Sequence, residues 1–124
     1  MAYVDGFVVP VPTKNLKAYL AMAKKAGKVW KDHGAIDYKE CVADDVKVGK
    51  WTSFPRSVKQ KKNETVIFSY IVYKSRAARD KCIAKVMKAV KAKDGDAAAE
   101  TMLAMMRRHG GEVARILADR GVLG

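Results

Sequence analysis

The sequence predicts an α+β domain in the order strand, helix, strand, strand, helix, followed by a helical tail. Three observations carry this. AYVDGFVVPV near the start and TVIFSYIVY at 65–73 are rich in β-branched and aromatic residues, which suit a pleated sheet. Apolar residues between positions 16 and 33 recur at three- and four-residue steps, the period of a helix. From Ala97 onward, AAAETMLAMMRRH and EVARILADRG keep helical spacing and offer no strand.

Residues 2–11 read as the first strand, with Tyr3, Asp5, Phe7, Val9 and Val11 on one face and Val4, Gly6 and Val8 on the other. Pro10 and Pro12 are expected to end it, because proline cannot donate to a ladder. Thr13 or Asn15 is then placed to cap a helix. Leu16, Tyr19, Leu20, Ala23, Gly27 and Trp30 form its apolar stripe, with lysines around most of the rest. Gly34 suits the left-handed position past the helix end. His33 falls in the last turn, where the helix dipole favours imidazolium, a sufficient structural reason for a histidine.

The second strand is expected over 35–43, with Ile36, Tyr38, Glu40 and Val42 on one face and Ala35, Asp37, Lys39, Cys41 and Ala43 on the other. Asp44, Asp45 and Gly49 mark a turn, WTSF at 51–54 reads as a short extended piece, and RSVKQKKNE at 56–64 as a charged loop. The 65–73 strand is expected to be central and covered on both faces. Ser75 caps a second helix lined by Ala78, Cys82, Ile83, Val86 and Val90. KAKDGD breaks that helix near Gly95, which divides the chain into a domain over 1–93 and an extension over 94–124. The extension predicts two short helices broken at Gly110 and Gly111, with Asp96 as N-cap. Its stripe of Met102, Leu103, Met105, Met106, Val113, Ile116 and Leu117 must bury against the domain or a partner.

At 124 residues with 49% hydrophobic and 31% charged content, the chain is long enough for one cored domain. No apolar run approaches the ~20 residues of a membrane span, and MAYVDGFVVP lacks the basic start of a secretory signal. A cytoplasmic protein without membrane contact is expected. Cys41 and Cys82 match no metal spacing and His33 and His109 do not complete one, so neither metal nor cofactor is expected. The net charge of +12 comes from 25 Lys and Arg against 13 Asp and Glu. Eighteen of those cations are lysines scattered in pairs, without interleaved arginine forks and aromatics. Any contact with nucleic acid is therefore expected to be weak and non-specific.

AYVDGFVVPVP, WKDHGAIDYKECVADDV, GKWTSFPRSVK and ETVIFSYIVYKSRAARD resemble the YbaA-like family of small bacterial proteins of unknown function, over about residues 2–88. The resemblance implies a ferredoxin-like β-α-β-β-α protomer of the dimeric α+β barrel superfamily, hence a homodimer. Superfamily relatives include monooxygenases and isomerases whose ligands sit between sheet and helices. The tail departs from the family, carrying helix where a fourth strand is usual, which would leave the first strand an open edge.

Within HGAIDYKECVADDV, strand parity puts Tyr38 and Glu40 on one face and Asp37 and Cys41 on the other, so the whole stretch cannot converge on one site. Asp5 lies among apolar strand residues, where a carboxylate is costly unless paired, and a raised pKa there would suit a general base. Asp5, Glu40 and Arg56 are the catalytic candidates, and Tyr3, His33, Tyr38, Ser69 and Tyr73 the ligand-binding ones. Asp5 with Arg56 could equally form a structural pair. No Gly-rich phosphate loop, nucleophile elbow or zinc signature occurs. Two functions follow: a domain binding a small organic ligand, with monooxygenase- or isomerase-like chemistry, or a non-catalytic protein whose basic surface meets an acidic partner or nucleic acid.

Overall fold

TVIFSYIVY lies at the centre of the molecule. In the computed structural model, which describes residues 1–91, a three-stranded antiparallel sheet has the order β1-β3-β2. Its strands are β1 (Tyr3–Pro12), β2 (Asp37–Val42) and β3 (Glu64–Tyr73). Helix α1 (Leu16–Asp32) connects β1 to β2, a short helix α2 (Phe54–Ser57) precedes β3, and α3 (Arg76–Lys91) follows it. The helical extension over 94–124, with Asp96, Met102 and its apolar stripe, lies outside the described residues. Among the described residues no helix is long and apolar enough to cross a membrane.

The register pairs Asp5 with Ile71 and Phe7 with Ser69 across β1 and β3, and Tyr38 with Ile71 and Glu40 with Ser69 across β2 and β3. One face of the sheet therefore carries Asp5, Phe7, Val9, Tyr38, Glu40, Ile67, Ser69, Ile71 and Tyr73. Both long helices pack there. Ala26 and Trp30 of α1 meet Cys82 and Val86 of α3 over Tyr38, Ile71 and Tyr73. Tyr19 and Ala23 cover Val9, Val11 and Ile67, and Phe7 touches both clusters. Each large apolar side chain removed from water here contributes about 1.5–3 kcal/mol.

Several sequence expectations change in the fold. Pro10 does not end the first strand but lies inside it, opposite Val66, while the strand does end at Pro12, opposite Glu64. β1 is an edge strand, and its odd-numbered side of the backbone faces β3, as the Thr13 N–H bonded to the Asn63 carbonyl at 2.8 Å shows. The missing proline N–H groups thus fall on the outer side, where no ladder bond is lost. Neither Thr13 nor Asn15 caps α1 through its side chain. A 3-10 turn over Thr13–Asn15 leads in instead, and the Thr13 hydroxyl bonds that of Thr65 at 2.9 Å.

Strand parity also fails at the start of β2. Ala35 is buried in the core while Ile36 is 60% exposed, because Gly34, with φ of 121°, redirects the chain before the ladder begins at Asp37. WTSF is not an extended piece: Ser53 Oγ accepts from the Arg56 N–H at 3.2 Å and caps α2, with Pro55 in its first turn. Trp51 is 85% exposed. Finally, β3 is fully covered only on the helix side. On the far side Val66 is buried, but Phe68, Tyr70 and Val72 are half-buried.

Ser75 caps α3 as its position suggests, its Oγ accepting from the Ala78 N–H at 3.1 Å. Gly27 has a separate role. A Cβ there would lie 2.8 Å from Cδ1 of the Tyr38 ring, so α1 approaches β2 this closely only because Gly27 has no side chain. Gly27→Ala gains about 1 kcal/mol of helix propensity but must displace the Tyr38 ring. Chemical denaturation of this variant is expected to show a net loss of about 1–3 kcal/mol; unchanged or increased stability would contradict the close packing.

Candidate functional site

Glu40 comes from the middle of β2 and points towards α1. Tyr38, two residues earlier and hence on the same face, donates its phenol to Glu40 Oε1 at 2.7 Å. Tyr19, from the inward face of α1, donates to Oε2 at 3.4 Å. Burial lifts the Glu40 carboxyl to about 7, against the lowering effect of the two tyrosine hydrogen bonds. Burial first, and then the Glu40 charge, push both phenols far above the usual tyrosine range, so they remain donors. Ser69 stands directly across from Glu40 on β3, fully buried, and its hydroxyl has no hydrogen-bond partner among the described residues.

Of these groups, Tyr38 and Glu40 line an open cavity of about 390 Å³ between α1 and β2. Leu20, Ala23, Gly27 and Tyr38 give it apolar walls, and Glu40 lies in its lining. Lys24, Lys28 and Lys31 complete it from the exposed side of α1, with Asp32 paired to Lys28 at 2.9 Å. A carboxyl that titrates near neutrality, fixed by two phenols at the edge of a partly apolar cavity, can accept or release a proton on a bound molecule.

A second polar group lies on the same sheet face, towards α3. Arg79 is buried and donates from Nη1 to Asp5 at 3.0 Å, from Nη2 to the Tyr3 hydroxyl at 3.1 Å and from Nε to Asp80 at 2.7 Å. Its guanidinium also stacks 4.9 Å from the Tyr3 ring centroid. Burial opposes the arginine's charge, but Asp5, Asp80 and Tyr3 outweigh it and raise its pKa. Tyr73 lies nearby; burial and then the Asp5 charge raise its phenol well beyond the normal range. Its hydroxyl makes no hydrogen bond among the described residues.

The sequence candidates thus fall into separate places. Glu40 and Tyr38 meet at the cavity, with Ser69 opposite Glu40 on β3. Asp5, Tyr3 and Tyr73 gather around Arg79, which takes the role considered for Arg56. Arg56 itself is exposed on α2, its Nε donating to the Val48 carbonyl at 3.2 Å. His33 is the C-cap of α1, with Nδ1 2.7 Å from the Val29 carbonyl, and does not line the Glu40 cavity. Among the described residues no cluster of three His, Cys, Asp or Glu side chains could hold a metal ion, and both cysteines are free thiols.

The model of the family described as "Protein of unknown function (DUF1428)" matches residues 2–102. The chain belongs to this family. It is also 48% identical over 87 residues to "Uncharacterized protein YbaA" of Escherichia coli strain K12, an alignment covering 70% of this chain and 74% of that protein. The same figures hold for the Shigella flexneri protein of that name. The family match passes residue 88, where the resemblance read from the sequence stops, and ends within the stretch the sequence reads as helical tail.

Two participants in these polar groups escaped the sequence reading although each left a signal. Tyr19 fits the apolar stripe of α1, yet a buried tyrosine hydroxyl needs a partner. Arg79 stands three residues before Cys82 and seven before Val86, a charged residue on the buried stripe of α3.

The raised Glu40 pKa has a consequence for stability. A carboxyl near 4.5 unfolded and about 7 folded favours the folded state fully below pH 4.5, and that contribution is lost as pH rises through 7. Glu40→Gln mimics the protonated form at every pH. Urea unfolding of parent and variant in parallel is expected to show the variant gaining on the parent between pH 5 and 8, by at most about 3 kcal/mol. A stability difference independent of pH would rule this out.

Proposed function

We propose that this DUF1428 protein binds a small organic carbonyl compound between α1 and β2, and that Glu40 moves a proton on it. The observation carrying this reading is the convergence of Glu40, Tyr38 and Tyr19 at an open cavity. The step is a proton transfer within one substrate. The Glu40 carboxylate takes a proton from the carbon next to the carbonyl, the electron pair moves to the carbonyl oxygen as an enolate, and the Glu40 carboxyl, whose proton exchanges with water, returns a proton to another position. Atoms and charge balance without a co-reactant, which is isomerase-like chemistry. Lys24 and Lys31 at the cavity mouth supply positive charge for the enolate oxygen. A carboxyl with a pKa near the working pH is available in both forms, as such a cycle requires.

The test starts from protein purified natively from cells, with co-purifying small molecules identified by mass spectrometry. A carbonyl compound should be present on the parent and absent from Leu20→Trp, which fills the cavity mouth. In deuterated buffer, the parent should exchange that compound's α-hydrogen and Glu40→Gln should retain binding but lose exchange by about 100-fold or more. Exchange that survives in Glu40→Gln would refute the role given to Glu40.

The same reading takes the protein as a cytosolic homodimer of the α+β barrel type. Supporting it is the far face of the sheet, where Val4 is 51% exposed and Phe68, Tyr70 and Val72 are half-buried. Phe54 covers only part of this face, stacking on Phe68 with ring centroids 5.4 Å apart. Pairing two such faces would bury the patch. Light scattering at micromolar concentration is expected to give twice the chain mass, and Tyr70→Asp to give a folded monomer. A monomeric parent would count against it.

A further inference from the structure

On the far side of the sheet, away from Glu40, a second cavity of about 630 Å³ opens between residues 43–48 and residues 55–66. Its two walls differ in chemistry. Val46, Val48, Pro55 and Val66 make one side apolar, while Arg56, Lys59, Lys61 and Lys62 bring four cations to it. Two acids line it as well. Asp44 is exposed, and Glu64 is buried with its Oε1 accepting from the Lys61 N–H at 2.7 Å.

The cations are carried on a braced segment rather than on a helix surface. Arg56 is fixed at both ends: its N–H bonds the Ser53 cap and its Nε bonds the Val48 carbonyl, both at 3.2 Å. This orients the guanidinium, and its two terminal nitrogens make no hydrogen bond among the described residues. Lys59 adopts φ of 49°, an uncommon conformation for a residue with a Cβ, which turns the chain back towards the sheet. The Gln60 amide donates to the Glu64 carbonyl at 2.7 Å and closes the loop.

A concave site of this volume suits a small molecule. An oriented arginine fork with lysines around it suits a tetrahedral dianion, which the fork can meet through two parallel hydrogen bonds. Among the described residues no aromatic side chain lines the cavity, which gives it no stacking platform of the kind single-stranded nucleic acid uses.

We propose that this cleft binds a phosphate monoester with an apolar body, its phosphate on Arg56, Lys61 and Lys62 and its apolar part against Val46, Val48 and Pro55. The site is independent of the Glu40 reading.

Phenyl phosphate titrated into the full chain, followed by amide NMR shifts and calorimetry, tests this, with inorganic phosphate as the head-only control. Phenyl phosphate is expected to bind with a dissociation constant below about 1 mM and several-fold more tightly than inorganic phosphate. Shifts should be confined to residues 43–48 and 55–66. Arg56→Ala should weaken binding by about tenfold or more, Arg56→Lys by less, and the paired Lys61→Ala and Lys62→Ala variant should also weaken it. Glu40→Gln should leave it unchanged. Shifts centred on Lys24, Lys28 and Lys31, equal affinity for the two probes, or unchanged affinity in both the Arg56 and lysine variants would each overturn the proposal. Displacement of phenyl phosphate by a much tighter-binding single-stranded oligonucleotide would overturn it in favour of a nucleic-acid surface.

Discussion

Strand β3 divides its backbone hydrogen bonds between two neighbours, odd residues towards β1 and even residues towards β2, and every later placement in the molecule follows from that division. It is visible at the start of β3, where Thr13 bonds back to Asn63 on one side and Ala43 to Val66 on the other. With the register fixed, Phe7, Ser69 and Glu40 fall in one row, and Asp5, Ile71 and Tyr38 in the next. A slip of one residue in either pairing would send Asp5 or Glu40 to the opposite face and apolar side chains to water. The prolines of β1 fit only one of the two parities, which adds a covalent constraint to the apolar one.

The layer between sheet and helices holds two polar groups with opposite solutions to burial. At Asp5 a nearby cation compensates the charge. Arg79 spends three of its nitrogens on Asp5, Tyr3 and Asp80, so its loss would leave a partly buried carboxylate uncompensated, the costly case for such pairs. At Glu40 no cation among the described residues is paired with the carboxyl. Two phenols hold it, burial prevails over them, and the group titrates near neutrality. The first arrangement ties β1 to α3 and favours the fold. The second leaves a proton poised beside solvent, which is useful for chemistry and unfavourable for stability at high pH.

The two faces of the sheet have different tasks for a related reason. The helix face is covered by α1 and α3 and opens beside Gly27, where the absence of a side chain brings Tyr38 against the helix. The far face has no long helix among the described residues. Its covering is the chain between Ala43 and Asn63, which buries Pro10 and Val66 but leaves the end near Val4 and Tyr70 partly open. Because that covering is loop, its polar side chains can project into a cleft, where Lys59, Lys61 and Lys62, near neighbours in the sequence, lie with Arg56.

The element order, the parity of β1 and β3, and the separation of Tyr38 and Glu40 from Asp37 and Cys41 were all determined by the sequence alone. Period-two alternation and helical spacing are local properties of the chain, and burial of one face enforces them. The limits of β2, the α2 turn in WTSF and the continuation of β1 through Pro10 were decided by tertiary structure. Each depends on which neighbour lies alongside: a proline is harmless only at an edge, and parity begins only where a ladder does. The partners of the charged groups were likewise beyond sequence reach. Asp5 and Arg79 are 74 residues apart and Tyr19 and Glu40 are 21 apart. Nothing in local spacing distinguishes Arg79 from Arg56 as the cation for Asp5. That choice belongs to the packing of α3 on the sheet, because a charge buried among apolar side chains is tolerated only where the fold brings its counterpart within hydrogen-bond reach.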